Sequence, residues 1–195
     1  GSTSRSRSLP SRSSPRAALR RRETFATSGP RISVRLFGGW HYGTQAMKPR
    51  DWLRTAYAGG VPMGGDLSRA EPAGERRAAP RFLVWAARDP NGAPLERAQI
   101  VKIWLEGETT REQVFDVAQG RATELAAVWR DPQFDPAQPA VYYLRVLEVP
   151  TPRWSTILAR HHGLPLPAGR PETIRERAWS SPIWYTPPAA AAAVP

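Results

Sequence analysis

Short runs of alternating apolar and polar residues, each closed by glycine or proline, constrain this chain more than any other feature. Ile32-Ser33-Val34-Arg35-Leu36-Phe37 alternates and stops at Gly38-Gly39, as a strand with one buried face does. Residues 81–88 set Phe82, Val84 and Ala86 against Leu83 and Trp85. Asp89-Pro90-Asn91-Gly92 follows, a turn in which proline presets φ and Asn-Gly accepts positive φ. Further strands are expected at 98–105, 113–118, 124–129, 141–149 and 181–186, and 153–159 reads as strand or helix. About six or seven strands at this spacing predict a mainly β fold of antiparallel, sandwich-like sheets rather than a parallel sheet. Helices are few. Residues 51–58 put Trp52, Leu53, Ala56 and Tyr57 on one face, residues 16–23 offer about two turns that need something to pack on, and 172–178 reads as a short helical turn. Residues 24–30, 58–67, 68–79, 131–139 and 161–171 read as turns and loops.

Charge divides the chain unevenly. Eleven of its 28 basic residues and one of its 17 acidic residues lie in residues 1–50, so the remaining body is close to neutral. Residues 1–15 are Ser/Arg-rich and almost without apolar side chains. Such a segment cannot offset the entropy of ordering and is expected to be a disordered tail, as are residues 188–195. The basic excess therefore describes an appendage, and nucleic-acid binding is the least favoured class. No apolar run approaches the roughly 20 residues of a membrane span, so no membrane span is expected. No signal peptide is read at the N-terminus. Cysteine is absent, which removes disulfides, zinc-thiolate sites and thiol nucleophiles.

Few residues carry recognisable chemistry. The three histidines are His41, His161 and His162. Neighbours in a strand or loop point apart, so they do not gather as metal ligands. Asp131 and Asp135, each followed by proline, resemble a calcium loop less than a pair of turn formers. The densest glycine cluster, Gly59-Gly60-Val61-Pro62-Met63-Gly64-Gly65-Asp66, has two readings: a tight loop that lets backbones approach, or a cradle of N–H groups for a ligand. Gly59, Gly60, Gly64, Gly65 and Asp66 are thus candidate ligand contacts. Arg31, after Gly29-Pro30, and Arg153, before Trp154, are candidate anion contacts, with a carboxylate partner as the alternative for each. Eight tryptophans are a large aromatic payload. Trp85, Trp104 and Trp129 are expected between sheets, and Trp154, Trp179 and Trp184 are expected to pack with nearby prolines.

Several segments, taken in order, resemble a known family. They are Arg20-Arg-Arg-Glu-Thr-Phe-Ala-Thr-Ser-Gly-Pro-Arg-Ile32, Phe37-Gly-Gly-Trp40, Gly59-Gly-Val-Pro-Met-Gly-Gly-Asp-Leu67, Asp89-Pro-Asn-Gly-Ala93 and Gln99-Ile-Val-Lys102. Tyr142-Tyr-Leu-Arg-Val-Leu-Glu148, Pro150-Thr-Pro-Arg-Trp154 and Glu176-Arg-Ala-Trp-Ser-Ser-Pro-Ile-Trp-Tyr-Thr-Pro187 complete the series. Together they are similar to the C-terminal part of a family of large bacterial proteins of unknown function, distantly related to the PHP (polymerase and histidinol phosphatase) metal-dependent hydrolases. The resemblance spans about residues 16–187. It implies that 16–31 is the end of a PHP-like barrel and that 32–187 is the family's β-rich C-terminal domain. It also implies that the metal ligands of the parent lie before this segment, with no cofactor in this chain and a divalent metal in the full-length parent. The expected partner is then the rest of the parent polypeptide, with the glycine loop edging the substrate cleft and Asp66 capping a turn. An exported parent is a further implication. The competing reading is a free-standing β-sandwich module that binds carbohydrate or another ligand through exposed tryptophans.

Overall fold

The computed structural model describes residues 19, 21–68, 79–166 and 168–188. The expected tail at 1–15, all but residue 188 of the tail at 188–195, half of the helix candidate at 16–23 and most of the loop at 68–79 lie outside them. In chain order the first elements are β1 (Phe25–Thr27), β2 (Ser33–Gly39), α1 (Trp52–Gly59), β3 (Val61–Pro62), β4 (Asp66–Leu67) and β5 (Arg81–Ala87). Next come β6 (Leu95–Glu106), β7 (Thr109–Ala122), β8 (Glu124–Arg130) and β9 (Ala140–Glu148). The last are β10 (Thr151–Pro152), α2 (Trp154–His162), β11 (Thr173–Ile174), β12 (Arg177–Ser180) and β13 (Ile183–Tyr185). The fold is mainly β, as the alternation requires, and no described helix is long and apolar enough to cross a membrane.

Two sheets share one apolar core. The smaller has the order β3-β2-β5-β8. The larger has β9 at its centre, with β6 and then β7 on one edge and with β12 and β13 side by side on the other. Every pair is antiparallel except β13 with β4. Period-two alternation explains which faces meet. Val34, Leu36, Phe82, Val84, Ala86 and Leu125 come from the smaller sheet, and Ile100, Tyr142, Leu144, Val146, Ala178, Ile183 and Tyr185 from the larger. Burying each large side chain contributes about 1.5–3 kcal/mol, so this shared face is the main source of stability.

The outer face of the smaller sheet holds a second, lesser cluster. Phe37 and Leu83 pack with Tyr42 and Ala56, joined by Trp52. α1 is docked there by edge-on aromatic contacts, Phe37 to Trp52 at 6.1 Å and Phe37 to Tyr57 at 4.9 Å. Leu53, expected on the buried face, is exposed instead. Trp85 shares the parity of Leu83, so it lies on this outer face and not between the sheets; Trp104 and Trp129 do pack against the core.

Other short elements differ from expectation for stated reasons. Residues 24–30 were expected as a turn but contain β1, which pairs Phe25 with Ser180 at a sheet edge. Residues 172–178 form β11 and the start of β12 rather than a helical turn, because Ala178 is fully buried opposite Val146. Such strands are too short to show a period. Residues 153–159 become α2. It ends on Gly163 with φ +63, whose N–H bonds to the Ala159 carbonyl, the left-handed cap that glycine favours. His161 and His162 therefore sit on the last helical turn, not in a loop.

Candidate functional site

The glycine cluster carries the chain from one sheet to the other. β3 pairs with β2 in the smaller sheet, and four residues later β4 pairs with β13 in the larger. Met63, Gly64 and Gly65 make the crossing. The Met63 N–H bonds to the Leu36 carbonyl at 2.7 Å, and the Gly64 N–H bonds to the Pro182 carbonyl at 2.8 Å. Gly64 has φ +85, and a Cβ there would lie 2.1 Å from the Arg22 carbonyl oxygen. A Cβ on Gly60 would lie 2.1 Å from the Gly38 carbonyl oxygen, and one on Gly59 2.9 Å from the Tyr42 ring. A Cβ on Gly65 would lie 2.9 Å from the Pro62 carbonyl oxygen. These four glycines thus accommodate close backbone and ring approach. Asp66 is exposed and pairs with Arg22 at 2.8 Å. Tyr42, wedged against Gly39, Gly59 and Gly60, donates its hydroxyl to the Ala56 carbonyl. Burial raises that hydroxyl far above its ordinary pKa.

Arg31 and Arg153 lie in separate surroundings. The Arg31 N–H donates to Asp89 Oδ2 at 2.7 Å, and the Asn91 N–H donates to Asp89 Oδ1 at 2.9 Å. These two backbone bonds, then the nearby Arg31 and Arg88 charges, hold the Asp89 carboxyl below its usual range. Arg153 caps the start of α2 with its backbone, its N–H donating to the Glu172 carbonyl at 2.9 Å, while its Nε is buried without a partner. No hydrogen bond or ion pair among the described residues joins Arg31, Arg153 and the glycine crossing.

Sequence reasoning missed a buried ionic cluster. The Lys102 ammonium donates to Asp131 Oδ2 and to the Gln133 carbonyl, each at 2.7 Å. The Tyr142 hydroxyl donates to the same Asp131 oxygen at 2.7 Å, and the Gln133 N–H donates to Oδ1 at 2.8 Å. The last bond is the Asx turn expected of Asp131, and Asp135 repeats it with the Ala137 N–H at 2.8 Å. Burial, then the neighbouring Asp131 charge, raises the Tyr142 hydroxyl so that it stays a donor. Every polar group of the cluster has a partner, so its role is to order the loop after β8. Lys102 had one visible signal, a charged residue within an otherwise apolar stretch.

Among the described residues, two concavities and one exposed face stand out. A cleft of about 310 Å³ is lined by Trp40, His41, Tyr42, Gly43, Ala79, Arg81 and Arg130. An apolar groove of about 300 Å³ lies between Trp104 and Trp184, with Ile103, Leu105 and Val141 in its walls. On α2, Trp154, Ile157 and Leu158 form an exposed apolar face beside His161. Trp154 is 77% exposed and Trp184 44% exposed. No three His, Asp or Glu side chains converge among the described residues.

No curated protein and no solved structure matches the chain. A family model described as "Protein of unknown function (DUF3604)" matches residues 10–124 and 119–187. The two matched segments cover most of both sheets and both helices, and on that match the chain belongs to the DUF3604 family.

Proposed function

We propose that this chain is the β-rich C-terminal portion of a PHP-like metal-dependent hydrolase, inactive alone, which covers the barrel and shapes the substrate entrance. The observation that supports this reading is the apolar face of α2. Trp154, Ile157 and Leu158 stand in solvent on a two-turn helix, and Leu164 and Leu166 are exposed just after it. Large apolar side chains gathered on one exposed element mark a docking face, and a barrel of the same polypeptide is the occupant the resemblance supplies. In this reading the divalent metal and its ligands belong to the barrel, and the residues described above hold no metal. They provide the rigid β support and the face that meets the barrel.

The test is the genomic DNA on the 5′ side of the Gly1 codon, followed by assay of the longest polypeptide the locus encodes. The expected result is a frame with clustered His and Asp motifs whose product hydrolyses esters in a metal-dependent way, while this chain alone does not. Metal-dependent hydrolysis by the isolated chain, or a locus encoding nothing more than this chain, would overturn the reading.

A second reading is a free-standing ligand-binding β-sandwich module. It draws on the groove between Trp104 and Trp184, because an apolar concavity with an aromatic wall suits a sugar ring or another flat ligand. Saturable quenching of tryptophan fluorescence by oligosaccharides, lost in Trp184→Ala, would favour it.

A further inference from the structure

We infer that the cleft between Arg81 and Arg130 is a binding site for a divalent tetrahedral oxyanion, a phosphate or sulfate group of a small ligand. The inference stands on observations separate from the α2 face and does not need the barrel. Arg81 in β5 and Arg130 in β8 are direct cross-strand partners. They have the parity of Leu83 and Val128, so both side chains rise from the outer face of the smaller sheet, into the cleft they line. Like charges directly opposite on a sheet destabilise it. Natural sheets place opposite charges or neutral partners there unless something else neutralises the pair.

No carboxylate does so among the described residues. Among the described residues the cleft lining holds Trp40, His41, Tyr42, Gly43 and Ala79 besides the two arginines, with no acidic residue. The nearest acid in sequence, Asp131, is 1% exposed, and both its oxygens are taken by Lys102, Tyr142 and Gln133. It cannot turn to Arg130 without stranding the Lys102 ammonium.

The arginines are also pre-set. Arg81 donates from one terminal nitrogen to the Tyr42 carbonyl at 2.9 Å, which fixes its guanidinium and leaves its other N–H groups free for a ligand. Tyr42 is itself immobilised against Gly39, Gly59 and Gly60. The backbone after Arg130 is held by the Asp131 N–H bond to the Pro80 carbonyl at 3.2 Å. Two guanidiniums carry two positive charges and flat donor forks. A tetrahedral dianion has enough oxygens to bridge both forks and enough charge to neutralise both, whereas a single carboxylate neutralises one. His41 and the Gly43 backbone border the same space.

The experiment is thermal unfolding of the whole chain at constant ionic strength, with inorganic phosphate, sulfate or acetate replacing chloride. Phosphate and sulfate should raise the midpoint saturably, as a ligand that binds the folded state does, and acetate should not. Arg130→Gln, on an exposed side chain, should fold and lose the response. Arg130→Glu should raise the midpoint in chloride, by pairing with Arg81, and should also lose the phosphate response. A phosphate effect equal to that of chloride or acetate, a response that survives Arg130→Gln, or an Arg130→Glu chain no more stable than wild type would each overturn the assignment.

Discussion

Lys102 and Asp131 are 2% and 1% exposed and meet at 2.7 Å. Two charges buried together cost several kcal/mol each in lost solvation and recover it through one another and through added hydrogen bonds. Removing one leaves the other stranded. Asp131→Ala should therefore lower unfolding free energy by about 3–5 kcal/mol, measured by denaturant titration; a loss below about 1 kcal/mol would show that Lys102 escapes to water. Glu148 poses the opposite problem. It is 2% exposed, its Oε1 has no partner, and its carboxyl is raised, first by burial and then by the Glu176 and Asp89 charges, while the Ala93 N–H and Arg88 oppose the rise. A carboxyl that holds its proton more tightly when folded favours the folded state at low pH. That advantage is lost as pH rises from the ordinary carboxylate value through the raised one. Glu148→Gln should flatten this part of the stability–pH profile and raise the midpoint at neutral pH. An unchanged profile would place the ionised carboxylate in water. The pairing of these groups is not announced in the sequence. Lys102 finds its partner 29 residues on, in a loop after two further strands, and a one-dimensional pattern does not contain that meeting.

At the scale of elements, long strands were legible and short ones were not. Residues 81–88 and 141–149 show enough alternation to be placed within a residue or so of β5 and β9. β1, β11 and β12 have two to four residues and exist because neighbours accept them as partners. Trp85 was misplaced because alternation assigns two faces without saying that a second cluster, under α1, buries the outer one. The glycine crossing was legible as a close-approach loop, yet its purpose, passing between two sheets in three residues, follows from the pairing of β3 and β4. Gly64→Ala should cost more than an ordinary glycine replacement. It adds the strain of a side chain at φ +85 to a clash with the Arg22 carbonyl, so a loss above about 1–3 kcal/mol is expected by chemical denaturation. A loss under 1 kcal/mol would mean that the 21–22 segment moves aside freely. Of the candidate contacts, Asp66 pairs with Arg22 through its side chain, while Arg31 and Arg153 are bonded locally through their backbone N–H groups. The Arg81–Arg130 pair had no signal in the sequence, since it arises from the β5–β8 register.

For the whole molecule, two antiparallel sheets bury one core between them, and the class was readable from strand count and turn chemistry. The exposed face of α2 was not, because an apolar helix face reads in sequence like any core-facing helix. Ile32 is fully buried and Leu19 is exposed, and five of the exposed large apolar residues, Trp154, Ile157, Leu158, Leu164 and Leu166, lie on α2 and just after it. The account therefore stands or falls on whether something covers Trp154, Ile157 and Leu158. The direct measurement is amide hydrogen exchange across residues 154–166, compared between this chain alone and the longest polypeptide its locus encodes. Strong protection gained in the longer polypeptide, centred on α2, is the result the account predicts. Equal exchange in the two would contradict it and leave α2 a free surface helix.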